Sequence, residues 1–345
     1  MPSPHIPPPA PVSSAVPGTS RAASLAGWSA HPASIEDDEQ VRILFEQVFQ
    51  HPMSEEQWQW KYADSPLRGI LLRKHAVQVV AFFGGMSRSF VGQGRHYRGV
   101  QNGDVMVHPS ERGVFSRRGA LYQVSAEFFG HYVGPQALQP QYDFAFGFPN
   151  RRHFDLGIKL GLYEAAGCMM ALSWQPQPAR WHWGWFSQML TAASMSLVDT
   201  LWESMPPSWP EVFIPVRDRA RWTYRYLHRP QTDYTLLLVR SRWTHRPLAA
   251  LALRQHSEHI EWLDYVGHAD HVPCAVQAAR AFAFAQGQKQ LTALVHDCVA
   301  PAFAVGHDSM EPSPICVPVN ASSVAAAQKP WVHRLWLMGG DSDFM

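Results

Sequence analysis

The stretch Gly103–Tyr122, GDVMVHPSERGVFSRRGALY, decides how the chain reads. It begins as an alternating segment, with Asp104, Met106 and His108 on one face and Val105 and Val107 on the other. It then passes a proline and an Arg-Gly pair and enters a helix-compatible run carrying Arg117 and Arg118. A strand that hands over to a helix places free N–H groups and the positive helix end beside the strand's carboxyl terminus, where an anion is favoured. Gly113 lets the backbone approach closely, Arg112, Gly113 and Val114 present amides, and Arg117 and Arg118 add charge that pairs with phosphate oxygens. A pyrophosphate is the natural guest.

Upstream, SIEDDEQVRILFEQVFQ has helical periodicity, with Ser34, Asp37 and Asp38 offering acidic, capping chemistry at its start. SEEQWQWKY predicts a second helix, with Ser54 as N-cap and Gln57 at capping-box spacing. GILLRK, VQVVAFFGGMSRSF and YRGVQNGDVMVH follow as strands, with a turn at GQGR. Downstream, SRRGALYQVSAEFFGHYV predicts a helix, YDFAFGF a strand, NRRHFDLGIKLG a short helix closed by Gly161, and LYEAAGCMMALSW a strand or pair of strands. This succession predicts an α+β fold around a mixed, mainly antiparallel sheet.

A self-similarity sets the domain count. WQWKYADSP, Trp58 to Pro66, aligns without gaps on WTYRYLHRP, Trp222 to Pro230, and a strand-like run follows each copy. The second copy continues with strands LAALALR and HIEWLDYVG, a helix VPCAVQAARAFAFAQG and a strand QLTALVH. It reaches its own strand-to-helix junction at GHADHVP with no Arg-Gly and no run of arginines. The expected division is a Pro/Ser/Ala-rich disordered leader (1–28), a first domain (29–174), a connector with one amphipathic helix in WFSQMLTAASMSLVDTLWE (175–210), and a degenerate second domain with tail (211–345).

Composition excludes several classes. Lys plus Arg total 29 against 28 Asp plus Glu, so no global basic field attracts nucleic acid. Cys168, Cys274, Cys298 and Cys316 form no C-x-x-C pair, and the 18 histidines are scattered, so no metal site is expected. Without a signal-peptide core or a bilayer-length apolar run, the expected location is the cytoplasm.

VMVHPSERG followed by a helix resembles the acyl-coenzyme A loop of the GNAT acyltransferase superfamily, a strand then Val-x-Pro then Arg-Gly, and RGVFSRRG is similar to a bacterial tandem-domain branch. FGFPNRRHFDLGIKLGLY keeps that superfamily's Asn-led helix, with Asn150 37 positions after Gly113, and the ending GGDSDFM is another feature shared with that branch. The resemblance implies two tandem GNAT-like domains, the second degenerate. It also implies transfer of an acetyl or related acyl group from acetyl-CoA or another acyl-CoA to a small-molecule or peptide amine. It departs twice: Val114 and Phe115 stand where a second loop glycine is usual, and Gly157 stands where the family's general-acid tyrosine is usual.

By this resemblance Val107, Arg112, Gly113, Val114, Arg117, Arg118 and Asn150 bind the coenzyme, with Asn150 contacting the pantetheine arm or capping its helix. Direct transfer needs a base for the ammonium and an acid for the leaving thiolate. Asp104 is the candidate base, or else satisfies Arg98 or local backbone; His108 is a candidate relay or a turn residue; Tyr163 is a candidate acid or a packing aromatic. Two competing readings are a GNAT-shaped scaffold without activity and a transferase fed by an acyl carrier protein.

Overall fold

The computed structural model of the chain describes residues 27–62, 65, 68–179, 183–321 and 329–342. The leader expected over 1–28 lies outside these residues, except for Gly27 and for Trp28, which begins the first strand. In chain order the elements are β1 (Trp28–Pro32), α1 (Asp38–Phe49), α2 (Glu55–Tyr62), β2 (Gly69–Lys74), β3 (Gln78–Gly92), β4 (Arg95–Val107), α3 (Ala120–Tyr132), β5 (Phe144–Gly147), α4 (Arg151–Leu160) and β6 (Tyr163–Trp174). They continue with β7 (Trp185–Met189), α5 (Leu197–Ser208), β8 (Ile214–Pro215), α6 (Arg219–Trp222) leading into a π turn (Thr223–Leu227), β9 (Thr235–Ser241), β10 (Pro247–Gln255) and β11 (His259–Gly267). The last are α7 (Val272–Ala285), β12 (Gln290–His296), α8 (Ala300–Phe303) and β13 (Ser309–Asn320).

Local chemistry accounts for most of these boundaries. The stripe Val41, Leu44 and Phe45 is the buried face of α1. Ser54 Oγ accepts the Gln57 N–H at 3.1 Å, and Asn150 Oδ1 accepts the His153 N–H at 2.9 Å, so the expected caps are real. Gly161 closes α4 in the left-handed region at φ 73°. One boundary differs: α3 starts at Ala120, because Gly119 is extended at φ −78°, ψ 153°, which leaves Arg117 and Arg118 in the turn ahead of the helix.

The strands form one mixed, mainly antiparallel sheet flanked by helices, in the order β1-β2-β3-β4-β5-β13-β6-β12-β11-β10-β9-β7, with β8 on β3. Only β4 with β5 and β11 with β12 pair in parallel. The order reads alike from either end: an edge strand, a three-strand meander, a parallel neighbour, then one of the two central strands. The helices follow the same symmetry, with α3 and α4 matched by α7 and α8. The central strands are exchanged, since β6 pairs with β12 of the later half and β13 lies between β5 and β6 of the earlier one. The segment 175–210 also holds more than a connector helix: β7 pairs with β9, and α5 packs on β10 and β11. Its Trp185–Met189 stretch is a strand because that edge offers an unpaired backbone row, which overrides the helical pattern.

The duplicated motif meets itself. Trp60 and Tyr224, at equivalent positions, stack at 5.2 Å; the Trp60 Nε1–H donates to the Tyr224 carbonyl at 3.1 Å, and the Tyr224 hydroxyl donates to the Trp60 carbonyl. Such reciprocal contact is what a two-fold axis produces. On one side of the first half's sheet, α3 buries Val124, Phe128 and Tyr132 over Ile70, Val80, Phe83 and Val100. On the other, α1 and α2 cover Leu71, Phe82, Met86 and Met106 with Trp58 and Tyr62.

The exchange of β6 and β13 makes the halves mutually dependent. A fragment ending at Trp174 leaves β5 without β13 and β6 without both neighbours, so it is expected to show no cooperative thermal transition by circular dichroism, whereas the full chain melts cooperatively. A sharp melt of the fragment alone would show that the exchanged strand is dispensable.

Candidate functional site

The site grows from the parallel pair. Register between β4 and β5 runs only from Gly99 opposite Phe144 to Asn102 opposite Gly147. Beyond it β4 continues to Val107 while the chain after β5 turns into α4, so the sheet forks. A cavity of about 290 Å³ occupies this fork. Its walls are Val107, the loop Glu111 to Phe115, Ala120 and Leu121 of α3, and Asn150, Arg152, His153, Leu156 and Leu160 around α4.

The loop is shaped to receive an anion. Gly113 has φ 96°, where a side chain is disfavoured, and a Cβ on Gly119 would lie 2.0 Å from the Val114 carbonyl oxygen. The close approach at Gly119 folds the loop back on the helix start. Among the described residues the backbone N–H groups of Gly113, Val114, Phe115, Ser116 and Arg117 donate to no protein acceptor. They stand directly ahead of the first turn of α3, whose amides have no intrahelical partner. Arg112 is braced by its Nε donating to the Val107 carbonyl at 2.9 Å, and Arg117 packs on the Tyr122 ring at 5.8 Å. Glu111 adds no free negative charge, since Lys74 Nζ at 2.7 Å and Trp28 Nε1 at 3.2 Å both donate to it; the Lys74 hydrogen bond holds its carboxyl below the usual range.

The sequence-predicted residues separate into two groups. Val107, Arg112, Gly113, Val114 and Asn150 line the cavity together; Arg117 and Arg118 flank it in the turn. Asp104, His108 and Tyr163 do not line it. Asp104 sits in a bulge, where two β4 residues oppose Phe83 alone, and takes φ 49°. Its oxygens accept from Lys61 Nζ at 2.8 Å and Tyr62 Oη at 2.7 Å, and its side chain is 6% exposed. Arg98, weighed above as its partner, instead lies 3.8 Å from Asp143. His108 behaves as a turn residue, its Nδ1 accepting the Ser110 N–H at 3.2 Å.

Sequence reasoning missed Arg152 and His153. Arg152 lies 5.9 Å from the centre of the Phe115 ring, and Phe115 remains 57% exposed, so it does not seal the cavity. His153 Nε2 is 3.0 Å from the Tyr163 hydroxyl. Burial pulls the imidazole down to about 4 and pushes the Tyr163 phenol up, so the pair is uncharged at neutral pH. Gly157 has a structural reason here: a Cβ there would lie 1.9 Å from the Tyr163 ring. The signal available in the sequence was His153 three residues after its cap, but nothing local pairs it with Tyr163. Among the described residues one trio, His296, Asp297 and Cys298, brings potential metal-ligating atoms within 4.8 Å of one another, at the end of β12.

No protein family's sequence profile matches the chain, and no curated protein matches it. Solved structures do. A probable N-acyltransferase from Enterococcus faecalis superposes with a TM-score of 0.63 at 11% identity, covering 89% of this chain and 74% of that one. A GCN5-related N-acetyltransferase from Anabaena variabilis gives 0.61 at 15%, covering 85% and 72%. The Saccharomyces cerevisiae N-myristoyltransferase with bound myristoyl-CoA gives 0.53 at 10%, covering 86% and 82%. The chain has the GNAT acyltransferase fold.

His153 yields a test of the buried pair. Its folded value lies below the ordinary 6.5, so the unfolded state binds the proton first, and stability is lost as pH falls from about 6.5 towards 4. Urea denaturation across this window should show that loss, and His153→Gln should flatten it. An unchanged slope in the variant would mean that His153 is not the residue responsible.

Proposed function

We propose that the protein is an N-acyltransferase that takes an acetyl or related acyl group from an acyl-coenzyme A and passes it directly to an amine. The observation that carries this reading is the loop of unpaired amides, Gly113 to Arg117, opening on the cavity at the β4/β5 fork. Arg112, Arg117, Arg118 and Arg152 surround these amides with charge suited to a pyrophosphate. The edge of β4 from Gly103 to Val107, vacated by β5, offers backbone groups to the amides of a pantetheine arm, much as a sheet edge receives an added strand. Asn150 beside it caps α4 while lining the cavity, so both roles foreseen for it coexist. The family likeness of the solved relatives, all described as acyltransferases, points the same way.

In this reading the thioester carbonyl lies near the β4 bulge, with the coenzyme on the α3 and α4 side and the amine arriving from the α2 side. The amine's proton leaves towards Asp104 by way of Tyr62, whose oxygen accepts it as its own hydroxyl proton passes to the carboxylate, while Lys61 pairs with the other carboxylate oxygen. His108 takes no part in the transfer, being committed to its turn. Tyr163 stays protonated beside neutral His153 and serves as a hydrogen-bond donor that reaches the leaving thiolate through the imidazole.

The open loop disfavours the scaffold reading, which needs Phe115 to close it. Calorimetric titration with acetyl-coenzyme A, coenzyme A and phosphopantetheine tests the assignment. Micromolar binding that requires the nucleotide diphosphate is expected, weakened at least tenfold in an Arg112→Ala, Arg117→Ala double variant. Equal affinity for phosphopantetheine would favour the carrier-protein donor; no binding of any of the three would leave only a scaffold. With an acceptor in hand, Asp104→Asn should lower kcat by about 10²-fold with little change in the KM for acyl-coenzyme A.

A further inference from the structure

On the α2 side of the sheet, away from the coenzyme cavity, two arginines make no ion pair among the described residues. Arg88, on β3, lies two residues beyond buried Met86, which faces α1 and α2. Its Nε donates to Gln101 Oε1 and its Nη1 to the Ser87 carbonyl, each at 3.1 Å. Arg221, on α6, places its guanidinium over the Tyr224 ring at 5.2 Å, and among the described residues its guanidinium makes no hydrogen bond. Neither has a carboxylate within ion-pair distance among those residues.

The carboxylates of this region are used elsewhere. Arg217 takes both Asp264, at 2.7 Å, and Asp341, at 2.5 Å. Asp218 caps α6 through the Arg221 backbone N–H, and Asp199 pairs with Arg219. Arg225, close by, donates to the carbonyls of Gly340 and Ser342. Burial first, then the charges of Arg221 and Arg225, push the Arg88 guanidinium well below its ordinary value, against a smaller opposing pull from Tyr224 and Asp341. Arg221 is lowered likewise, by burial and then by Arg225, with Tyr224 and Asp341 again opposing. Half-buried guanidinium groups without an ion-pair partner cost the folded chain desolvation free energy that neutral hydrogen bonds and a ring contact offset less well than a carboxylate would.

Their position gives the reason. Gln101, which anchors Arg88, lies on β4 three residues before Asp104, and Tyr224, under Arg221, stacks on Trp60, next to the Lys61 and Tyr62 that hold Asp104. The arginines therefore border the approach from which, in the reading above, the amine reaches the thioester. We propose that Arg88 and Arg221 bind an oxyanion, a carboxylate or a phosphate, carried by the acceptor, so that the substrate is an amine bearing a negative group rather than a neutral or polycationic one. Planar guanidinium forks suit either oxyanion. The aromatic pair Trp60 and Tyr224 forms a floor between the anion and the reacting amine. These are specificity residues for the proposed transferase, and the inference rests on that reading for its function but not for its binding.

The test uses the full chain and matched ligands shaped like the acylated product. N-acetylglycylglycine and its C-terminal amide form the carboxylate arm; N-acetyl-O-phosphoethanolamine and N-acetylethanolamine form the phosphate arm. Calorimetry should give at least tenfold tighter binding for the charged member of one arm, and that arm identifies the oxyanion. Arg88→Gln and Arg221→Gln should each cut the preference to below about twofold. Because each change relieves repulsion, both variants should melt at or above the wild-type temperature. Equal binding of charged and neutral partners by the wild type overturns the proposal, as does a preference that survives both substitutions. So does a large drop in melting temperature for both variants, which would make the arginines structural. If the charged ligands bind but acetyl-coenzyme A does not, the transferase reading fails and the oxyanion site stands.

Discussion

The antiparallel pairing of β6 with β13 holds the rest of the molecule in place. β5 is four residues long and ends where β4 has five still to run, so it cannot by itself tie α4 and β6 to the first half. β13 supplies that tie. Its end from Val317 to Asn320 pairs with β6 from Gly167 back to Tyr163, Val319 reaches Phe146, and the Asn320 side-chain oxygen accepts the buried Ala145 N–H at 2.8 Å. The fork between β4 and β5 stays open because the sheet continues past it through a strand from the far end of the chain. The cavity's α4 wall is thus positioned by residues about 170 places away in sequence.

The duplication also shows how one architecture is put to two uses. Asp264 lies four residues before His268 on β11, as Asp104 lies four before His108 on β4, and each aspartate accepts from the tyrosine of its own copy of the motif, Tyr226 or Tyr62. Both histidines accept the N–H two residues on, at 3.2 Å. The copies part after that point. The first continues through a loop in which the amides of Gly113 to Arg117 donate to no protein acceptor among the described residues, while the second enters α7 at Val272 directly after its turn. In the second copy Arg217 joins Asp264 to Asp341, burying the charges in a network that secures the segment after β13. The same aspartate position therefore joins a buried arginine network in one half and a lysine and tyrosine in the other, where it is the proposed base.

What the sequence disclosed follows the range of each interaction. Caps at Ser54 and Asn150, the left-handed Gly161, the strand alternation through Asp104 to His108 and the repeated Trp-x-aromatic-basic-Tyr motif are set within a few residues, so they could be read directly. The cavity-lining loop was legible for the same reason: Arg112, Gly113 and Val114 are adjacent, and their place depends on the backbone between them. Strand exchange was hidden because backbone pairing leaves no trace in the identity of the partners. β7 was hidden because five residues inside an amphipathic window carry too little period to reveal a strand. His153 with Tyr163, and Arg88 with Arg221, are tertiary meetings, visible only once α4 folds back on β6 and the π turn after α6 lies against α2.

The electrostatics of the two sites form one problem. The chain is nearly neutral, at +1, so a coenzyme diphosphate and an oxyanion on the acceptor would both meet it without general attraction and would repel each other across β4. Local charge resolves this. Arg112, Arg117, Arg118 and Arg152 gather on the cavity side of the sheet, and Arg88 and Arg221 on the α2 side, while Glu111 pairs with Lys74 and Asp104 with Lys61. Each anion would then be matched before the two approach, and the region between them keeps no net charge to oppose an ammonium losing its proton. In the proposed reading an anion on each side would offset the cost of holding these guanidinium groups close to the sheet, so the same charges that a surface built for stability alone would disperse would lower the free energy of the ternary complex.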